Sequence, residues 1–166
     1  YGSADKRKKI IQGDWDFTII NYDGIGIVKE EIIKGNFDLI VVDECNAYKT
    51  HTTARWKALF KILGGKDKNE DMKLWMMTGT PASQSPMDAF GLAKLVCPNN
   101  VPRLSAAWRE KVMHQISRFK WIPKPNAKND VFSALQPAIR FAKDQCLDLP
   151  DVMYQTREVP LTKQVE

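Results

Sequence analysis

The stretch FDLIVVDECNAY, residues 37–48, decides the fold of this chain. Its apolar run, LIVV, stops at two adjacent acids, Asp43 and Glu44. A short continuous run of aliphatic and β-branched residues is typical of a parallel strand that is buried on both faces. Ligands of open parallel sheets bind at the carboxyl ends of the strands. The stretch therefore predicts a strand over 38–42 with two carboxylates at a ligand-binding edge; the alternative is an acid pair that caps the following turn.

Strands and helices alternate along the first hundred residues, which predicts an α/β fold with a parallel sheet and flanking helices. The patterns predict strands over 16–21, 38–42 and 73–77 and helices over 6–12, 28–34, 52–63 and 86–96, with Thr52 or Thr53 capping the third helix and Ser85 the fourth. The segment 98–130 breaks this alternation, with a predicted helix around 106–119 and a loop at PKPNAKN, 123–129. Residues 131–166 are predicted to form one short helix followed by an extended tail.

Length and composition indicate a globular domain inside a cell. The chain has 166 residues, of which 43% are apolar, enough for one real core. No stretch approaches the roughly 20 apolar residues of a membrane span, and there is no leader pattern. We therefore expect an intracellular protein with no membrane partner, from a bacterial or phage cytoplasm rather than a nucleus. The odd number of distant cysteines, Cys45, Cys97 and Cys146, predicts buried structural thiols rather than disulfides or a zinc site.

The net charge of +5 is unevenly distributed. Between 103 and 124 there are six basic residues: Arg103, Arg109, Lys111, Arg118, Lys120 and Lys124. The same segment contains one acid, Glu110, and three aromatic residues, Trp108, Phe119 and Trp121. Basic side chains contact phosphates and aromatic rings stack on bases, so this segment is a candidate nucleic-acid surface. A solvated helix whose aromatic residues face the core is the competing interpretation.

Two acids at the end of a strand are chemically suited to nucleotide hydrolysis. An acid at that edge is expected to be desolvated unless a positive group meets it, and a magnesium–nucleotide pair is the simplest such group. Asp43 would hold Mg²⁺ through water, and Glu44 would orient or deprotonate the water that attacks the γ-phosphate. The sequence TGTP, 78–81, ends the next predicted strand and would place Thr78 and Thr80 at the same sheet edge.

Four segments together resemble the Swi/Snf-type DNA-dependent ATPases and translocases of helicase superfamily two. LIVVDECNAYKT (39–50) is similar to that family's Walker B motif, and LWMMTGTPASQSPMDAFGLAKLVCP (74–98) to its motif III with the helix that follows. FTIINYDGI (17–25) resembles the motif Ib region, and LQPAIRFAKDQCLDLPD (135–151) the segment that closes the first lobe. The order and spacing of these segments cover nearly the whole chain.

The resemblance implies an enzyme of two RecA-like lobes that moves along duplex DNA using ATP and Mg²⁺. It implies that Asp43 coordinates Mg²⁺ and that Glu44 is the catalytic base. It also implies that three loop residues bind the nucleotide and couple the ATP state to DNA: Thr78, Gly79 and Thr80. It places Asn21, Tyr22 and Lys49 near the nucleic-acid track. Residues 1–97 would be part of lobe one, and 98–166 a helical, basic insertion with the lobe-closing tail.

The sequence departs from the family pattern in three places. Asn46 stands where the family has His, SQS at 83–85 shifts the usual Gln-Asn pair, and Arg140 alone represents a double-arginine signature. These departures leave the roles of the corresponding positions open.

The phosphate-binding motif GxxxxGK[ST] does not occur in the sequence. The only Gly-Lys pair of the sequence, Gly65-Lys66, is followed by Asp67, where the motif requires Ser or Thr. We therefore expect this chain to be the C-terminal part of lobe one, without the P-loop strand. As a truncated or proteolysed piece, it would need no cofactor and would be inactive alone. Its expected partners are an N-terminal P-loop segment, the second lobe, duplex DNA, and further copies through exposed sheet edges. The alternatives are a stand-alone, non-catalytic nucleic-acid- or protein-binding module and, with a poorer fit to LDLPD, an RNA helicase.

Overall fold

A computed structural model describes residues 2–35, 37–65, 72–142 and 153–157. The helices are α1 (Ala4–Ile11), α2 (Lys29–Lys34), α3 (Ala54–Ile62), α4 (Asp88–Val96), α5 (Ser105–Val112) and α6 (Ala127–Ala134). The strands are β1 (Leu39–Val42), β2 (Lys73–Met76), β3 (Met113–Gln115) and β4 (Trp121–Pro123). Short 3-10 turns lie at Tyr22–Gly24, Cys45–Tyr48 and Pro98–Asn100.

The central sheet is parallel, which confirms the α/β class with flanking helices. β1 pairs with β2 so that Leu39 lies opposite Lys73 and Val42 opposite Met76. Parallel strands need a crossover connection, and α3 supplies it between β1 and β2. The predicted strands at 38–42 and 73–77 and helices at 28–34 and 52–63 are confirmed to within one or two residues. Thr53 caps α3 as expected, because its Oγ1 accepts a hydrogen bond from Trp56 N at 3.3 Å.

The two faces of this sheet differ in their exposure. Ile40, Val42 and Leu74 contact a core formed with α2, α3 and part of α4. On the opposite face Val41 and Trp75, which are register partners, are 50% and 62% exposed. The expectation that the strands are buried on both faces is therefore wrong for the described residues, because the described helices cover one face and leave the other open.

Helix α4 is shared between two hydrophobic clusters. Leu92 and Leu95 belong to the cluster on the sheet, whereas Ala89 and Ala93 belong to a second cluster with α5 and α6. Trp108 anchors the second cluster: its side chain is fully buried, and its indole N–H donates to Pro86 O at 3.1 Å. An apolar helix with residues facing both ways holds the two halves of the described chain together.

Two predicted elements are wrong. Residues 16–21 form no strand in the described chain, and Phe17 and Ile19 are 90% and 96% exposed. The apolar run there finds no paired neighbour among the described residues, so its β-propensity is not realised. The helix predicted over 106–119 ends at Val112 and gives way to an antiparallel hairpin in which Met113 pairs with Pro123.

The hairpin forms in place of a longer helix because the backbone groups of its two strands hydrogen-bond to each other. The turn between them closes with Ile116 N donating to Lys120 O at 3.0 Å. Phe119, which the helical pattern would place against the core, is 86% exposed in this turn. A period-3.6 pattern cannot distinguish these cases when the apolar residues are few.

The start of α4 is also shifted. It begins at Asp88 rather than at residue 86, and Ser85 is not its N-cap. The Asp88 carboxylate instead accepts hydrogen bonds from the backbone N–H groups of Gln84 and Ser85 at 3.1 and 3.3 Å. This carboxylate reaches back to organise the preceding turn, which delays the helix. The short helix expected within 131–166 lies at 127–134. The loop predicted at 123–129 is therefore too long, because Pro123 ends β4 and residues 127–129 form the first turn of α6. The segment LDLPD, 147–151, is outside the described residues.

We predict that Gly91→Ala destabilises the fold. A Cβ at Gly91 would collide with the backbone carbonyl of Lys49, which cannot yield as a flexible side chain could. The expected loss is about 1–3 kcal/mol of unfolding free energy, measured by urea titration. Gly26→Ala is the matched control, since a Cβ there meets no atom within 4 Å. Equal stability of the two variants would contradict the close approach of α4 to the 45–49 loop.

We also predict that the folded state loses stability in alkaline solution because two buried side chains, the Cys45 thiol and the Tyr48 phenol, ionise. Burial raises the pKa of Cys45 from 9.0 to about 11 and that of Tyr48 from 10.0 to about 12. Because the folded-state pKa values are raised, this stabilisation is present below pH 9 and is lost as the pH rises through the folded values.

The measurement is the urea unfolding free energy at pH 8 and pH 11. The double variant Cys45→Ala/Tyr48→Phe should lose less stability over this interval than the wild type, because it lacks both buried ionisations. Tyr154→Phe is the control, since Tyr154 is 92% exposed. Identical losses in wild type and double variant would show that other groups cause the alkaline effect.

Candidate active site

The acid pair lies in a strained turn directly after β1. Glu44 has φ 45° and ψ 54°, the left-handed region, which costs a non-glycine residue of order 1–3 kcal/mol. The surrounding hydrogen bonds hold it there: Met77 N donates to Val42 O and Cys45 N donates to Met77 O, both at 2.9 Å. The turn is thereby fixed against the end of β2, where the 78–81 loop begins.

Both carboxylates of this turn are exposed. Asp43 Oδ1 accepts a hydrogen bond from Glu44 N at 3.0 Å, so one carboxylate oxygen is oriented by the turn itself. The expectation that an acid at this edge is desolvated is wrong for this structure, because the strained turn projects the acids beyond the apolar end of β1. Solvent access leaves both free to meet a cation or a phosphate-bound water.

The Tyr22 side chain supports the turn that carries the acid pair. Its hydroxyl donates to Asp43 O and lies 3.3 Å from Glu44 O. Its ring packs edge-on against buried Tyr48, with centroids 5.7 Å apart. Burial, together with the nearby Asp43 and Glu44, raises the pKa of Tyr22, so the hydroxyl keeps its proton and remains a donor. The adjacent Asn21 caps the 22–24 turn through Oδ1, which accepts from Gly24 N at 3.1 Å.

Lys49 connects the acid-bearing loop to the start of α4. Its ammonium donates to Gln84 Oε1 at 2.7 Å and lies 3.5 Å from Asp88 Oδ2. The two motif-bearing segments of the sequence are therefore joined by a side-chain network as well as by the sheet. Sequence reasoning missed Gln84 and Asp88 as site residues; an acid four positions after Gln84, at the start of a helix, was the available signal.

The 78–81 loop is organised by its own residues. Thr80 N donates to Thr78 Oγ1 at 3.2 Å. Among the described residues, no hydrogen bond joins either threonine hydroxyl to Asp43 or Glu44. Nothing approaches the Cα of Gly79 closely, since an added Cβ there would meet no atom within 4 Å. The loop thus lies at the same sheet edge as the acids while its backbone remains open to approach.

The basic segment divides into a buried and an exposed part. Trp108 packs inward, as the competing interpretation of this segment required, whereas Phe119 points outward between exposed Arg118 and Lys120 at the hairpin turn. The Arg118 guanidinium lies 5.3 Å from the centroid of the Phe119 ring. Lys124 is tied down, because its ammonium donates to the backbone oxygen of Glu110.

A polar atom beside the acid pair is unsatisfied. Asn46 Oδ1 is buried and has no hydrogen-bond partner in the part of the chain that the structure describes. Residues 45–48 form a 3-10 turn, so Asn46 belongs to the same loop as the acids. A buried polar group of this kind calls for a partner, and the site offers one acceptor oxygen to a donor from elsewhere.

The donor set fits Mg²⁺ held by one carboxylate rather than a closed metal cage. Within the described ranges no group of three or more His, Cys, Asp or Glu residues converges on one point. Mg²⁺ characteristically keeps several waters and binds through one or two carboxylates plus substrate phosphates. An exposed Asp43 at the end of a strand matches that requirement.

Comparison with families of known proteins supplies one match. A family model described as the SNF2-related domain matches residues 2–166. Neither the curated proteins nor the solved structures give a match. In the described residues, no helix has the length and apolar character to cross a membrane. Since the family model spans all but the first residue of the 166, this chain belongs to the SNF2-related domain family, a Swi/Snf-type ATPase region of helicase superfamily two.

Proposed function

We propose that this chain is the Walker B and motif III part of an ATP-dependent DNA translocase. The observation that supports this most directly is the strained turn at Glu44, which presents two exposed carboxylates and is hydrogen-bonded to the end of β2 through Cys45 N and Met77 O. Strain of this kind persists where the surrounding structure enforces it, and it is concentrated at functional sites. An acid pair serving only to cap a turn would not need this backbone.

Asp43 and Glu44 have different tasks in the proposed reaction. Asp43 would hold Mg²⁺ through water with the oxygen that Glu44 N does not engage. When bound, Mg²⁺ supplies charge that neutralises the phosphates of ATP. Glu44, turned away by its left-handed backbone, would accept a proton from the attacking water. Tyr22 donates a hydrogen bond to the backbone oxygen of Asp43 and so helps to hold the turn that carries both side chains.

Coupling of ATP state to DNA is assigned to the 78–81 loop and its neighbours. Thr78, Gly79 and Thr80 begin where β2 ends, and Met77 O receives the N–H of Cys45 from the acid-bearing loop. A change at the acids can therefore reach this loop through one hydrogen bond. The Lys49–Gln84–Asp88 network supplies a second link, which assigns Lys49 to coupling in addition to a place near the DNA track.

The phosphate loop is assigned to another segment of the ATPase. No GxxxxGK[ST] occurs among the 166 residues. The open sheet face, with Val41 and Trp75 exposed, supports a covering segment, because strands of a doubly wound sheet are apolar on both faces. We also propose self-association through exposed sheet edges when that segment is absent.

The division of the chain follows the two clusters. We propose residues 1–97 as part of lobe one, and 98–166 as a helical and basic insertion with the closing tail. The sheet-side cluster draws on the first part alone, apart from peripheral Leu135. Helix α4, at the end of the first part, also supplies Ala89 and Phe90 to the second cluster and so joins the two.

Duplex DNA is the proposed partner, within a cell's cytoplasm. Asn21, Tyr22 and Lys49 border the acid-bearing loop, and the exposed Arg118 and Lys120 form a basic hairpin tip. Lys124 contributes charge at the base of that hairpin. The alternative, a non-catalytic nucleic-acid- or protein-binding module, is favoured by the same tip but leaves the strained acid turn without a role.

We predict that the chain alone releases no phosphate from ATP, because the nucleotide phosphates lack their cradle. In the ATPase that combines this chain with a phosphate loop, Glu44→Gln should lower turnover at least about a hundredfold while ATP binding persists. Asp43→Asn should in addition weaken Mg²⁺–ATP binding. Phosphate release and fluorescent-nucleotide titration measure the two effects.

Glu110→Gln is the matched control, since Glu110 is an exposed acid outside the site. DNA-stimulated phosphate release by the isolated chain, abolished by Glu44→Gln, would overturn the assignment of the phosphate loop to another segment. Equal effects of the two site substitutions on nucleotide affinity would contradict the division of roles.

We predict that the hairpin tip contributes to the salt dependence of DNA binding. Each phosphate contact on duplex DNA adds a log–log slope of about −0.9, so replacing Arg118, Lys120 and Lys124 by Ala should flatten the slope by up to roughly 2.7. Phe119→Ala should weaken binding to single strands more than to duplex, because stacking requires an unpaired base. Fluorescence anisotropy over a salt series measures both.

The control triple variant removes the same charge from exposed lysines elsewhere: Lys9→Ala, Lys34→Ala and Lys128→Ala. It should leave the slope within about half a phosphate equivalent of the wild type. If both triple variants flatten the slope equally, net charge rather than the hairpin tip governs binding.

A further inference from the structure

A concave pocket lies away from the acid pair, between α3, α4 and the 98–105 segment. Its volume is about 900 Å³, within the usual range for ligand pockets. Of the residues considered above for ATP or nucleic acid, Arg103 of the basic segment lines it, whereas the acid pair, the 78–81 loop and the hairpin tip do not. The lining residues used below are His51, Trp56, Phe60, Phe90, Lys94 and Arg103.

One wall of this pocket is an aromatic row. The His51 ring lies edge-on to Phe90 with centroids 5.1 Å apart, and Trp56 stacks on Phe60 at 5.0 Å with 17° between the rings. The Trp56 indole donates to Gly91 O at 2.8 Å, which locks the row onto α4. The wall is therefore apolar and preformed rather than dependent on a ligand for its shape.

The rim beside this row is positively charged, and the Lys94 ammonium lies over the Phe90 ring, 6.0 Å from its centroid. Lys94 and Arg103 line the pocket, and no Asp or Glu is among the described residues that line it. Neither cation forms an ion pair with any residue that the structure describes. Burial, and to a smaller extent the neighbouring Arg103, lowers the pKa of Lys94.

We propose that this pocket binds an acidic peptide segment of a partner protein that also carries a large apolar side chain. Carboxylates of the segment pair with Lys94 and Arg103, and the apolar side chain lies against the two partly exposed rings of the aromatic row, His51 and Phe60. Exposed Leu104 and Val96, 65% and 39% accessible, extend the apolar surface at the rim. Charge complementarity and the mixed lining select this occupant.

Nucleic acid fits the same pocket poorly. Stacking on bases requires exposed aromatic faces, whereas Trp56 and Phe90 are 7% and 3% accessible and already pack against His51 or Phe60. A duplex backbone could reach exposed Arg103 but would leave the apolar wall unfilled. A flexible acidic peptide can satisfy both parts at once.

The test measures binding of a fluorescein-labelled peptide, DEDFEDLE, to the 166-residue chain by anisotropy, with NQNFNQLQ as the uncharged counterpart. The acidic peptide should bind at least about fivefold more tightly, since two charge pairs contribute a factor of roughly two to five each. The double variant Lys94→Gln/Arg103→Gln should lose this preference. Its far-ultraviolet circular dichroism and urea midpoint verify that it is folded.

Lys9→Gln/Lys128→Gln is the matched control, because it removes the same charge from exposed positions outside the pocket. It should retain the preference within about twofold of the wild type. Equal binding of both peptides, or equal losses in both double variants, would overturn the proposal. Displacement of the acidic peptide by unlabelled duplex DNA, with the same dependence on Lys94 and Arg103, would assign the pocket to nucleic acid instead. The result is independent of ATP hydrolysis, so it neither supports nor weakens the proposed function.

Discussion

The hydrogen bonds at the carboxyl end of the parallel pair are the constraint from which the rest of the site follows. Met77 N binds Val42 O and Cys45 N binds Met77 O, both at 2.9 Å, so the ladder continues one step beyond each strand. That extra step leaves two residues, Asp43 and Glu44, to turn the chain between Val42 and Cys45, and Glu44 does so with a left-handed backbone. Exposure of both carboxylates, the position of Tyr22 under them and the start of the 78–81 loop all depend on this closure.

Helix α4 transmits this arrangement to the remainder of the molecule. Its first residue, Asp88, binds Lys49, and its fourth residue, Gly91, packs on the Lys49 carbonyl with no room for a side chain. The same helix gives Ala89 and Ala93 to the cluster that Trp108 anchors. Displacing the 45–49 loop would therefore shift α4 and, with it, the support of the basic hairpin. A helix packed on both sides can couple two regions because neither side can move without loss of contact.

Local sequence patterns predicted the elements of the parallel sheet and its connecting helix, but they missed the features that depend on contacts between distant residues. The run LIVV and the acids after it identified β1 and the acid-bearing turn at its end, since both depend on neighbours in sequence. The helix boundary at Val112 was not predictable, because the hairpin depends on pairing between Met113 and Pro123, ten residues apart. The roles of Tyr22 and Lys49 were likewise hidden: each acts on a segment 21 to 39 residues away. The resemblance located both residues near the site but could not say which atoms they would engage.

The two faces of the described chain that lack a protein neighbour differ in chemistry, and the difference separates their roles. The open sheet face presents Val41 and Trp75 with the neighbouring apolar residue Leu39, so burial of hydrocarbon would drive its association. Contacts of that kind are large, weakly directional and suited to a permanent neighbour within one lobe. The pocket beside α4 combines a preformed aromatic row with two cations that form no ion pair with any described residue, an arrangement that selects by charge as well as by area. A surface that needs a particular sign of charge in its partner is suited to reversible recognition, so regulation would enter at the pocket rather than through the sheet.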